Sequence, residues 1–200
     1  IKIKNMLSLK NSLAVLKKTE ALKEGHFVLS SGLHSSQYVQ CAKLLSFPNK
    51  AKKLCRSLAL KIKKNLKKFD IILSPAMGGI IIGYEIGRIL KIETIFCERV
   101  NGKFKLRRGF KINPRAKVLI VEDVITTGKS SLECVKLIKK SKAIPVGFAC
   151  LIDRSNKKNI KITKKIISQV KLNIPTYTKN NLPDFLKKIP ITSPGSRRIR

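Results

Sequence analysis

Strand-like apolar runs alternate with helical patterns from residue 48 to residue 152, and no other feature constrains the fold as strongly. Pro48 suits the first turn of a helix running to about Leu66, with Leu54, Leu58 and Ile62 at a spacing of four. Strand Ile71-Ile72-Leu73 then leads through a glycine-rich turn into a helix ending near Leu90, and strand Thr94-Ile95-Phe96 leads into a long polar loop. Strand Val118 to Val121 feeds a helix through Ile138, and a strand from Pro145 to Ile152 follows. Strands that are apolar at successive positions are buried on both faces, as in a parallel sheet covered by helices on each side. The expected class is therefore α/β with a mostly parallel central sheet, whose functional groups collect at the carboxyl ends of the strands.

Outside this region the pattern changes. Leu9, Leu13, Leu16 and Ala21 keep a loose helical period from Leu9 to Leu22, with Gly25 expected to stop the helix. Phe27-Val28-Leu29 and Tyr38-Val39 flank a turn-rich stretch, which reads as a hairpin outside the main sheet and a candidate lid. A strand over Ile166 to Leu172, a short helix around Leu182 to Lys187 and a basic tail from Pro194 to Arg198 complete the chain. With 200 residues, one sizeable core and a single domain over residues 1–200 are expected, with the hood mainly at residues 20–45.

The chemistry concentrates where the third strand ends. Val118 to Val121 runs into Glu122 and Asp123, then into Val124, Ile125, Thr126, Thr127, Gly128, Lys129 and Ser130, where a new helix opens. A helix N-terminus offers unpaired N–H groups and a positive dipole end to an anion. The carboxylates at the strand edge accept hydrogen bonds from sugar hydroxyls. A ribose 5-phosphate satisfies both halves of such a site.

The 13 residues from Val118 to Ser130 resemble the signature of type I phosphoribosyltransferases, which transfer ribose 5-phosphate from phosphoribosyl pyrophosphate to a nitrogen base. Gly25 to Ser35, Pro75-Ala76-Met77-Gly78-Gly79, Leu106 to Phe110 and Leu151-Ile152-Asp153-Arg154 are most similar to the orotate-using branch. The resemblance implies the type I phosphoribosyltransferase fold with a small N-terminal hood. It implies a phosphoribosyl pyrophosphate site running from Glu122 through Val124 and Ile125 to Ser130, in which Glu122 and Asp123 hold the ribose hydroxyls and Thr126 to Ser130 hold the 5-phosphate, and it implies that Pro75 to Gly79 form the diphosphate loop. Thr126 and Arg154 are implied contacts of orotate, Arg154 taking its carboxylate in bidentate fashion. His34 stands where many relatives carry a Lys near the base, whereas His26 reads as structural.

The loop over residues 99–115 carries Arg99, Lys103, Lys105, Arg107, Arg108 and Lys111, with Gly102 and Gly109 as flexible points. Loops this long inside a domain are usually functional or disordered. It is expected to close over the diphosphate, with Lys103, Arg99 and Asp123 as the catalytic set, and by resemblance to reach into a neighbouring subunit's site in a homodimer. The better-known Lys-x-x-Lys-x-His pattern is absent, and Lys103 is its nearest equivalent. Mg2+ is implied as the cofactor, bound chiefly by diphosphate and sugar oxygens and so leaving no ligand motif. Gly79, Gly83 and Gly87 recur every four residues, which is read as close helix–sheet packing.

The net charge is +33, from 44 Lys and Arg against 11 Asp and Glu. The lysines are scattered over nearly every segment instead of forming the clustered footprint of a nucleic-acid binder, so no specific nucleic-acid partner is expected. No apolar stretch has the ~18 residues that a membrane helix needs. The five cysteines have neither disulfide-framework nor metal-site spacing, and the N-terminal residues lack a leader-like apolar region. A cytoplasmic location is expected, with Met6 a candidate start. Two rivals stay open at the level of sequence: a purine phosphoribosyltransferase, and a non-enzymatic nucleic-acid-binding regulator on the same fold.

Overall fold

The computed structural model describes residues 6–29, 31–156, 160, 162 and 165–192. Helix α1 (Leu9–Lys18) is capped by Ser8, whose hydroxyl accepts from the Asn11 N–H at 3.2 Å. It ends four residues earlier than its apolar period suggests. The Thr19 hydroxyl bonds back to the Val15 and Leu16 carbonyls, and Glu20 turns the chain with a φ of 54°. Gly25 does not stop the helix. It lies inside strand β1 (Leu22–Val28), with a φ of 153°, where the pairing shifts between Glu24 and Phe27. Strand β2 (His34–Val39) pairs antiparallel with β1, so the expected hairpin forms outside the main sheet.

After the short α2 (Cys41–Leu45), α3 (Pro48–Asn65) begins with Pro48 at its first position, where the missing N–H costs nothing. The main sheet is built from β3 (Ile71–Pro75), β4 (Glu93–Val100), β5 (Lys103–Leu106), β6 (Lys117–Ile125), β7 (Ile144–Asp153) and β8 (Ile166–Lys171). Its spatial order is β5-β4-β3-β6-β7-β8, parallel except for β5. Helix α4 (Gly78–Leu90) links β3 to β4, and α5 (Lys129–Lys140) links β6 to β7. The order reverses direction between β3 and β6, which opens a crevice beyond their carboxyl ends.

Residues 99–115 are not a single loop, because β4 continues to Val100 and turns at Asn101-Gly102 into β5, with Arg99 paired to Phe104 across the hairpin. Phe104 is buried and anchors the turn to the sheet. The hood also gains strands from the far end of the chain. Strand β9 (Thr176–Tyr177) pairs with β2, and β10 (Ile191–Thr192), beyond α6 (Asp184–Lys187), pairs with β1. The tail at residues 194–198 lies outside the described residues.

Strand β6 is the spine. Val118, Leu119, Ile120 and Val121 are each fully buried, worth ~1.5–3 kcal/mol apiece. Val118 and Ile120 pack with Cys134 and Ile138 of α5, whereas Leu119 and Val121 pack with Ile82 and Ile86 of α4 and Leu58 of α3. The two-residue period thus assigns each side chain of β6 to one helix layer. Helix α4 comes close to the sheet because its glycines leave room: a Cβ on Gly83 would strike the Ser74 side chain, and one on Gly87 would strike Thr94.

Candidate active site

Strand β6 runs to Ile125, so Glu122 and Asp123 lie within the strand instead of after it. Its alternation separates them. Glu122 falls on the α5 face, where it is buried and accepts a hydrogen bond from the Ser131 hydroxyl. Asp123 falls on the α4 face, where its carboxylate occupies the space a Cβ on Gly78 would need. The two acids therefore flank the strand end, one under α5 and one against the Pro75–Gly79 turn.

Burial shapes both groups. The Glu122 carboxyl is pushed up to about 7, mainly because burial disfavours its charge, with the Ser131 hydroxyl pulling down and Asp123 pushing up. Burial also raises Asp123, against backbone N–H groups that favour its anion.

Beyond Asp123 the chain forms an open cradle. Thr126, Thr127 and Lys129 are exposed, while Gly128 is buried with a φ of 75°, a conformation that suits glycine. A Cβ there would also run into the Ile162 side chain at 2.7 Å. Gly128 caps α5, and no side chain caps that helix start. Its first N–H groups are the kind that bind phosphate. The start of α4 likewise has no side-chain cap, and the Ala76–Met77 peptide before it is cis.

At the end of β7, the Arg154 N–H donates to the Ile125 carbonyl at 2.8 Å, tying the residue to the end of β6. Its Nε is buried with no hydrogen-bond partner, and burial pulls the guanidinium below its ordinary value, opposed by the nearby Tyr38 of the hood. A buried, unsatisfied cationic donor at a cleft calls for an anion. Arg99 faces a different neighbourhood. Its guanidinium donates to Glu133 of α5 at 2.9 Å and to the Gly102 carbonyl at 2.7 Å, and it stacks 4.0 Å from the Phe104 ring centroid. Lys103 is exposed on β5, and Arg108 is bound to Glu98 at 2.9 Å.

His34 and His26 are both buried, and a 2.7 Å contact joins His26 Nε2 to His34 Nδ1, with His26 Nδ1 3.2 Å from the Ile189 carbonyl. This pair ties the hood to the C-terminal segment, as the structural reading of His26 anticipates. Sequence reasoning missed Ser131 and Tyr38 beside the site and Glu133 as the partner of Arg99. Ser131 lies one residue beyond the motif, at a position on α5 that faces back toward β6, and that helical spacing was the available signal.

A crevice at a topological switch point, a helix start without a side-chain cap and two carboxylates at one strand end make up a candidate site for a sugar phosphate on an α/β sheet. The phosphoribosyl transferase domain matches residues 47–176, and the chain belongs to that family. Its relatives narrow this to the orotate phosphoribosyltransferases: the enzyme of that name from Erythrobacter litoralis is 46% identical over 92% of this chain and 96% of its own length. The crystal structure of orotate phosphoribosyltransferase from Aeropyrum pernix superposes with a TM-score of 0.66 at 23% identity, covering 80% of this chain and 92% of that one. Adenine phosphoribosyltransferase from Thermoanaerobacter pseudethanolicus shares the fold at a TM-score of 0.58 and 18% identity, covering 68% and 88%.

Proposed function

We propose that the chain transfers ribose 5-phosphate from phosphoribosyl pyrophosphate to orotate, giving orotidine 5-monophosphate and diphosphate in pyrimidine synthesis. The observation that carries the choice of base is Arg154, whose buried Nε lacks a partner beside Tyr38 of the hood. Orotate is a carboxylate, and purine bases are not. The Thr126–Ser130 cradle takes the 5-phosphate, Glu122 and Asp123 take the ribose hydroxyls, and Thr126 lies near the base. As the anomeric C–O bond to diphosphate breaks, an orotate nitrogen forms the new bond to the same carbon, and its N–H proton passes to the departing diphosphate or to solvent. Charge on the departing diphosphate is met by the Met77, Gly78 and Gly79 N–H groups, the Ala76 N–H being donated to the Cys97 carbonyl, and by the Lys103 and Arg99 hairpin. For Arg99 this requires leaving Glu133.

Mg2+ fits a site whose carboxylates are committed to the sugar. Among the described residues no three His, Cys, Asp or Glu side chains cluster as a metal cage, and a hard cation bound here would take its donors chiefly from substrate oxygens and water. It would supply charge neutralisation on the diphosphate when bound.

A homodimer is supported by Met77 at the N-cap of α4 and by Ile81 and Tyr84 on it, which are 82%, 53% and 66% exposed at helical spacing. A sedimentation mass of one chain overturns that assembly. Five buried, unbridged cysteines support a reducing, cytoplasmic setting. Among the described residues no helix is long and apolar enough to cross a membrane.

The test is diphosphate release from phosphoribosyl pyrophosphate and Mg2+ with orotate, uracil, adenine or hypoxanthine. Orotate alone should support turnover, and Arg154→Ala should lower kcat/KM for orotate by roughly a hundredfold, the scale of losing a charge-assisted pair. Unchanged orotate use by that variant removes Arg154 from the base site.

A further inference from the structure

We propose that Ser131 is a positioning residue, holding Glu122 beneath the first turn of α5 as an ionised acceptor for the ribose and linking that acceptor to the phosphate cradle. The inference rests on the assignment of Glu122 to the ribose hydroxyls.

Ser131 is fully buried in the third residue of α5, and its hydroxyl donates to the Glu122 carboxylate. The same helix start supplies the N–H groups of the cradle, so displacement of that turn moves the Glu122 partner with it. The other titratable groups around Glu122 are Asp123 on its own strand, Cys134 on α5 and Cys150 on β7. Burial pushes the Cys150 thiol up, while for Cys134 the hydrogen bond with Cys97 leads and burial adds to it, so neither thiol contributes a cation or an anion at neutral pH. Among the described residues no ion pair reaches Glu122. Burial and Asp123 both favour its neutral form, and the Ser131 hydroxyl opposes them.

Which form the carboxyl takes decides whether it can work. An ionised carboxylate accepts from two sugar hydroxyls, whereas a protonated one spends an oxygen as a donor. Favouring the ionised form of Glu122 near neutrality is therefore a functional task, and the Ser131 hydroxyl performs it from outside the substrate contacts assigned above.

The experiment compares the pH dependence of kcat/KM for phosphoribosyl pyrophosphate in the parent, Ser131→Ala, Glu122→Gln and the double variant, with thermal melts confirming folding. Ser131→Ala should move the acid limb up by about one pH unit and raise KM at pH 7 by up to roughly tenfold, with kcat little changed. Ser131→Thr, which keeps the hydroxyl, should return the limb toward its parent position. In the Glu122→Gln background, Ser131→Ala should shift nothing further. A limb unmoved by Ser131→Ala, while Glu122→Gln weakens binding, overturns the role of Ser131 alone. A Glu122→Gln enzyme that binds phosphoribosyl pyrophosphate normally overturns the ribose assignment and this inference with it.

Discussion

At the scale of single residues, the site places its function against its stability. Glu122 titrates near 7 in the folded chain and at the ordinary carboxylate value of 4.5 when unfolded, so the folded state binds the proton more tightly between those limits. Its contribution to stability is therefore complete below about pH 4.5 and is lost as pH rises through 7. The difference corresponds to roughly 3 kcal/mol. Glu122→Gln keeps an oxygen for Ser131 to donate to and removes the buried charge. Urea denaturation should show this variant more stable than its parent at pH 8, by up to ~3 kcal/mol, with the gap closing toward pH 5. An equal gap at both pH values would show that the charge is not the source. Asp123 shifts in the same direction, and its neighbour Gly78 carries the consequence into the next level of structure.

Two glycines of α4 separate packing from chemistry at the scale of elements. A Cβ on Gly83 would press on the Ser74 side chain, whose Cβ lies 3.0 Å away, and Ser74 is fully buried with its hydroxyl unpartnered. Gly83→Ala should cost ~1–3 kcal/mol by overpacking while each folded molecule keeps its activity. Gly78→Ala instead drives a methyl into the Asp123 carboxylate, so KM for phosphoribosyl pyrophosphate should rise with a smaller loss of stability. Steady-state kinetics beside urea melts separate the two, and a reversed pattern would refute the division. The close packing was legible in the four-residue glycine repeat, and the sheet in the apolar runs, because both patterns are local. The early end of α1 was not, since a left-handed Glu20 is set by the strand it must enter. Strand β5 hid in a polar stretch where a single buried residue, Phe104, secures the hairpin. Strands β9 and β10 pair with segments more than a hundred residues away, which no local period records. The acids of the site were legible as a pair, but their division between two faces depends on β6 extending to Ile125.

For the whole molecule, charge is the dominant uncompensated quantity. With 44 basic and 11 acidic residues, even complete pairing of every acid would leave a net +33. The described ion pairs, such as Lys17–Glu24 and Arg88–Glu85, are mostly at the surface, where each is worth little. The excess therefore acts as long-range self-repulsion in the folded state and as attraction for polyanionic substrates. Both effects are screened over the same distance, which shrinks from about 30 Å at 0.01 M salt to about 10 Å at 0.1 M. They have opposite consequences. Raising NaCl across that range should increase Tm, because compaction of like charges becomes less costly, and should increase KM for phosphoribosyl pyrophosphate, because steering weakens. The KM for orotate, which carries a single charge, should change less. Melting curves and kinetics in the same salt series test all three, and a Tm independent of salt would show that the positive charges are too dispersed to oppose folding.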